Sequence, residues 1–202
     1  MLKNLKISGL ICFGAFVSNI SFAGSQLEEH LSNSVKAMMQ QSVSDKAAPK
    51  FAFTAPEEAD AWLKEMSQRL KSRIPNNTYR EDLLRTIHYE ATRSGLDPQM
   101  VLGLIDVESG FHKYALSSAG ARGFMQVMPF WPCNIGASDH NLFKLRTNLR
   151  YGCTILRHYI NIEHGDLYRA LGRYNGSLGQ SNYPNLVLAA WRKKWNYPQK
   201  DI

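Results

Sequence analysis

Between Pro56 and Glu108 the chain is punctuated as a succession of helix starts and stops, and that punctuation constrains the fold most. Pro56-Glu57-Glu58 opens a helix, because proline suits the first turn and acids suit its positive end. Trp62, Met66 and Leu70 follow four residues apart and place one apolar stripe along it. The helix is expected over 56–74, with Pro75 ending it. Thr78 with Glu81 three residues on reads as a capping box. Leu83, Leu84, Ile87 and Ala91 form the next stripe, and Gly95 is its stop. Asp97-Pro98 starts a third helix, running from Met100 to about Glu108. Further helical stretches are expected at 123–128, 147–162, 166–174 and 185–195. No alternating apolar-polar run of any length appears, and no internal repeat. The expected class is all-α, with short helices joined by long loops.

The amino-terminal part has a different character. Lys3 and Lys6 precede an apolar run from Leu10 to Val17, and Ser21-Phe22-Ala23 has the small-x-small form of a cleavage site. This reads as a secretory signal peptide over 1–23, cut after Ala23. The apolar run falls short of the ~20 residues needed to span a bilayer. Residues 24–55 are polar, with weak apolar spacing at Leu27, Leu31, Val35 and Met38, and Ala47-Ala48-Pro49-Lys50 reads as a linker. The expected organisation is therefore a leader at 1–23, a helical or flexible extension at 24–75, and one domain at 76–197. An exported chain of this kind belongs in the periplasm.

Export changes the meaning of the cysteines. Loss of Cys12 with the leader leaves Cys133 and Cys153, which in an oxidising compartment are expected to pair. Such a bridge would close a loop of about 20 residues and contribute roughly 3 kcal/mol. Two free thiols, or half of a metal site, are the other readings. No CxxC or HxxxH spacing supports a metal, so neither a metal nor another cofactor is expected. The formal charge falls from +7 to +5 when Lys3 and Lys6 leave with the leader. A basic exported protein suits an anionic polymer or surface. Cell-wall glycan with peptide carboxylates fits that compartment, and nucleic acid does not.

Glu108 is the residue that stands out. It ends the apolar run Leu102, Leu104, Ile105 and Val107, and a loop rich in glycine and serine follows. Burial disfavours the charged carboxylate and raises its pKa. A carboxyl protonated near neutral pH is what a general acid requires. Ser109 offers a hydroxyl beside it. Gly110 and the small residues from Ala115 to Ala121 leave room for a ligand to approach the backbone. Gly123 permits close approach, Met125 offers apolar contact, and Gln126 offers a donor and an acceptor. A carboxyl acid, an amide and small residues together describe a groove for a polyhydroxylated polymer.

The stretch "ESGFHKYALSSAGARGFMQVMP", with "RYNGS" at 173–177, resembles the soluble lytic transglycosylase (SLT) catalytic domain, a lysozyme-like fold. The likeness covers roughly residues 80–195. It implies a multi-helix domain with a substrate groove, Glu108 as the catalytic acid and Ser109 as its hydroxyl partner. It also implies that Met125, Gln126, Tyr174 and Asn175 bind substrate. Arg173 departs from the family, which carries a small residue before the tyrosine. Phe124 stands where leucine is more usual.

Most glycosidases flank the bond with two carboxylates, and no convincing second one is found here. Asp106 faces another side of the helix, Asp139 lies in a polar stretch, and Glu90 is on a different helix. The resemblance implies a route with one acid acting twice. Glu108 protonates the oxygen between N-acetylmuramic acid and N-acetylglucosamine, then takes the C6 proton as a 1,6-anhydro ring closes. Tyr174 is a candidate hydrogen-bond partner for Glu108. A lysozyme-type hydrolase and a non-catalytic glycan-binding component of an envelope complex are the alternatives. The small size points to delivery by an envelope or secretion-complex partner.

Overall fold

The computed structural model describes residues 26–44, 51, 53 and 55–198. The leader at 1–23, with Cys12, and the linker at 47–50 lie outside them. Eight α-helices follow in order: α1 (Asn33–Ser44), α2 (Pro56–Leu70), α3 (Asn77–Arg93), α4 (Pro98–Glu108), α5 (Phe130–Ile135), α6 (Leu145–Ile162), α7 (Leu167–Asn175) and α8 (Asn182–Ala190). α8 runs on into a π-helical turn at Trp191–Trp195. Among the described residues there is no strand, only two isolated bridges, Leu116–Arg122 and Arg122–Val127. No described helix is long and apolar enough to cross a membrane.

One hydrophobic cluster runs through all of these elements. Trp62, Met66 and Leu70 of α2 join Leu83, Leu84 and Ile87 of α3 and Leu149, Ile155 and Leu156 of α6. Met39 and Val43 of α1 are buried in the same cluster, so the segment before residue 76 packs into the domain. α4 is the central element. Its residues from Pro98 to Ile105 are buried on every side, and it lies against α8, the π turn and α3. An apolar helix needs that enclosure, since no face of it suits water.

Several boundaries differ from expectation for identifiable reasons. α2 ends at Leu70, four residues before the expected end. The N-cap of α3 is Asn76, whose side chain accepts from Tyr79 N at 2.9 Å. Thr78 falls inside the first turn, and Glu81 accepts from Asn77 Nδ2 in place of reaching back to a cap. The stretch 123–128 is not a helix. Gly123 and Gln126 have φ of +75° and +47°, and Arg122 and Val127 exchange backbone hydrogen bonds across the turn. Two left-handed residues in six cannot continue an α-helix.

The expected disulfide is also corrected: Cys133 and Cys153 are free. Cys133 is exposed on α5, its sulfur 3.9 Å from Pro129 O. Cys153 is buried in α6, with its sulfur 4.0 Å from Met125 Sδ, and burial pushes its thiol well up. The two side chains have separate surroundings, one in solvent and one in the core. Thiol titration of the unreduced protein lacking residues 1–23 is expected to find one fast-reacting thiol when folded and two after denaturation. No free thiol in the denatured sample would contradict this arrangement.

Candidate active site

Glu108 occupies the last position of α4, where the helix meets the Ser109-Gly110 loop. It is 3% exposed. Its Oε1 accepts from the Tyr183 hydroxyl at 2.5 Å. Burial pushes its pKa from 4.5 up to about 8, and the hydrogen bond from Tyr183 works in the opposite direction. The carboxyl is therefore protonated at neutral pH, with a donor already aimed at it for the moment it ionises. Tyr183 lies 75 residues away, at the start of α8. α8 packs directly on α4, which is how the chain brings the two together.

Most of the other sequence-derived residues have their polar atoms already engaged. Ser109 Oγ donates to Phe124 O at 2.8 Å, tying the end of α4 to the 122–127 turn. Gln126 is buried, and its amide nitrogen donates to Gly123 O at 2.9 Å and Ala115 O at 3.1 Å. Met125 is fully buried, with its thioether against Gly152 and Cys153 in the core. A side chain at position 152 would overlap Met125, so glycine is required there by the close approach of α6. Tyr174 is buried, and its hydroxyl donates to Met125 O at 2.7 Å, not to Glu108. The expected tyrosine contact to the acid exists, but Tyr183 supplies it. Asn175 is buried with its amide nitrogen unpartnered, a donor that a ligand oxygen would satisfy.

Asn148 of α6 is the anchor that sequence reasoning missed. Its Oδ1 accepts from Met125 N at 2.8 Å, and its Nδ2 donates to Arg122 O at 2.7 Å and Leu142 O at 2.9 Å. Any side chain on Gly123 would collide with this amide. The turn beside Glu108 thus owes its shape to one asparagine and one glycine.

The remaining carboxylates have other occupations. Asp106 binds Arg73, Lys194 Nζ at 3.2 Å and Trp195 Nε1 at 3.1 Å. Burial works to raise its pKa, but Arg73, Trp195 and Lys194 outweigh that and hold it below the usual carboxylate range. Glu90 is fully buried among Arg150, Arg93 and Arg146, the closest nitrogen at 2.9 Å. Asp139 is exposed on the loop after α5. Arg173, the residue that departs from the family pattern, turns to Glu163 and Glu29 and leaves the Tyr174 ring in place. Among the described residues no group of three or more histidines, cysteines or acids could hold a metal ion.

The raised pKa makes a prediction about stability. The folded state keeps the Glu108 proton between pH 4.5 and about 8, whereas the unfolded chain releases it near 4.5. The native state therefore binds the extra proton in that window, and stability falls as pH rises, by about 1.4 kcal/mol per unit at most. Glu108→Gln removes the dependence. In urea titrations the variant is expected to gain on wild type by several kcal/mol between pH 5 and pH 8, on that slope. A constant difference across the window would contradict the protonated, buried carboxyl.

Residues 85–196 match the family profile described as the transglycosylase SLT domain. A transglycosylase of Enterobacteria phage PRD1 is 32% identical over 98 residues, 48% of this chain and 36% of the phage protein. The membrane-bound lytic murein transglycosylase C of Actinobacillus pleuropneumoniae is 51% identical over 39 residues, 19% of this chain and 11% of that protein. The X-ray structure of an inactive mutant of lytic transglycosylase Slt from Pseudomonas aeruginosa aligns with 84% of this chain and 35% of that chain. Its TM-score is 0.44 at 20% identity. The chain thus matches little more than a third of the phage protein and about a tenth of the murein relative. With the profile matched across more than half of its length, the chain belongs to the transglycosylase SLT domain family.

Proposed function

We propose that the protein is a peptidoglycan lytic transglycosylase that cuts the β-1,4 bond between N-acetylmuramic acid and N-acetylglucosamine and leaves 1,6-anhydromuramic ends. The observation that carries this reading is Glu108: a buried carboxyl with its pKa pushed up to about 8, while the other acids considered are ion-paired or exposed. Family membership and the names of the relatives support the reaction class.

The chemistry needs one group to act twice. Glu108 first gives its proton to the glycosidic oxygen, and the bond from that oxygen to C1 of the muramic residue breaks. The N-acetylglucosamine part leaves as an alcohol. The muramic acetamido group stabilises the positive charge at C1 from within the substrate. The Glu108 carboxylate then takes the proton of the C6 hydroxyl as that oxygen bonds to C1. No water is consumed, and Glu108 ends protonated as it began. A pKa near 8 suits both halves, since the group starts protonated at neutral pH and is a competent base once ionised. Tyr183 stabilises the carboxylate between the two steps by the hydrogen bond it already makes. Asn175, with its unpartnered buried amide, is assigned to substrate binding together with the 122–127 turn. In this reading the protein works in the periplasm, exported by the leader at 1–23 and delivered by an envelope or secretion-complex partner.

Digestion of purified peptidoglycan and mass analysis of the products tests the reading. Anhydro ends are expected, and Glu108→Gln is expected to lower their rate about a hundredfold or more, the usual weight of a general acid. Reducing ends would make the protein a hydrolase. Intact glycan would leave it a binder.

A further inference from the structure

Residues 26–32 cross the domain as irregular chain before α1 begins. They make no backbone hydrogen bond to the described part of the domain before Ser32. What holds them is side chains. Gln26 is 3% exposed, and its carboxamide oxygen accepts from Trp131 Nε1 at 2.9 Å and from Met128 N at 3.2 Å. Glu28 pairs with Asn134 at 3.1 Å, Glu29 with Arg173 at 3.2 Å, and Leu31 rests on the core. The Gln26 amide nitrogen is buried without a hydrogen-bond partner, although the Tyr174 hydroxyl is close enough to feel it.

These contacts fall beside the acid. Met128 directly follows the 122–127 turn, whose Met125 carbonyl receives the Tyr174 hydroxyl. Met125, Gln126, Tyr174 and Trp131 are all buried with the segment in place, and so is Glu108. A cavity of about 540 Å³ lies elsewhere, between α1, α6 and the loop at 136–140.

We propose that Met128 N–H and Trp131 Nε1–H form a site for the acetamido carbonyl of an N-acetylated sugar, and that Gln26 fills it as a built-in competitor. The assignment rests on the glycan-cutting reading above. A carboxamide carbonyl and an acetamido carbonyl are the same functional group, so two convergent donors accept either one. The loosely held amide fits a temporary occupant: Gln26 uses its acceptor on two donors, while its buried amide nitrogen has the Tyr174 hydroxyl near it but no hydrogen bond of good geometry. The lack of backbone pairing, the one exposed hydrogen bond at Glu28 and the one half-buried ion pair at Glu29 let the segment lift without disturbing the helices. Substrate then competes with it for one position, and affinity falls by the fraction of molecules in which the segment has lifted.

Titration of the purified protein with tri-N-acetylchitotriose tests the proposal, with the Trp131 indole N–H resonance and calorimetry as readouts. Gln26→Ala is expected to bind about tenfold more tightly than wild type, as when one molecule in ten is open. A Glu28→Ala/Glu29→Ala double variant, which loosens the segment and leaves the donors untouched, is expected to tighten binding as well. In both, the Trp131 signal moves on titration, and KM on peptidoglycan falls with kcat kept. Unchanged or weaker binding in both variants, or a Trp131 signal that stays still, would overturn it. Tightened binding without any anhydro product would remove the lyase reading and leave this one standing. Anhydro product without tightened binding would do the reverse.

Discussion

The site depends on the burial of a single carboxyl at the end of an apolar helix. α4 is enclosed by α3, α8 and the π turn, and that enclosure carries Glu108 out of water. Desolvation raises its pKa, and Tyr183 moderates the rise. Every other part of the site can be read as support for that placement. Ser109 ties the end of α4 to the 122–127 turn, Asn148 fixes the turn to α6, and Tyr174 closes it from α7. The 122–127 turn is thus braced by buried side chains bonded to its backbone, which hold its geometry more closely than loose side chains would.

The electrostatic layout explains why one acid stands alone. Glu90 and Asp106 are close in sequence to the site or central in the fold, yet arginines claim both. Glu163 is claimed by Arg169 and Arg173 in the same way. Pairing holds Asp106 and Glu163 below the usual carboxylate range and fixes Glu90 among its arginines, whereas Glu108 faces a neutral phenol and stays protonated. Environment, more than residue type, divides the acids into ion-paired and protonated.

The all-α class and the position of Glu108 were legible in the sequence, because both follow from local signals. Helix caps, prolines and apolar spacing mark α2, α3, α4 and α6, and an apolar run ending in glutamate is visible on inspection. What was not legible depended on pairing across distance or on backbone signs. Tyr183 sits in an ordinary Asn-Tyr-Pro stretch, and only the docking of α8 on α4 makes it a partner of Glu108. The turn at 122–127 reads as helical by composition, because nothing in Gln126 announces a positive φ. Cys133 and Cys153 read as a pair by compartment, but α5 and α6 turn them to different surroundings. Gln26 meets its partners more than a hundred residues later, and no spacing rule reaches that far.

The account stands or falls on the protonation of Glu108. The direct measurement is the carbon-13 shift of the Glu108 carboxyl followed against pH in the folded protein. A midpoint at about 8 is expected, moving further up in Tyr183→Phe because the hydrogen bond that favours the carboxylate is gone. A midpoint near 4.5, unmoved by the tyrosine substitution, would contradict the central claim.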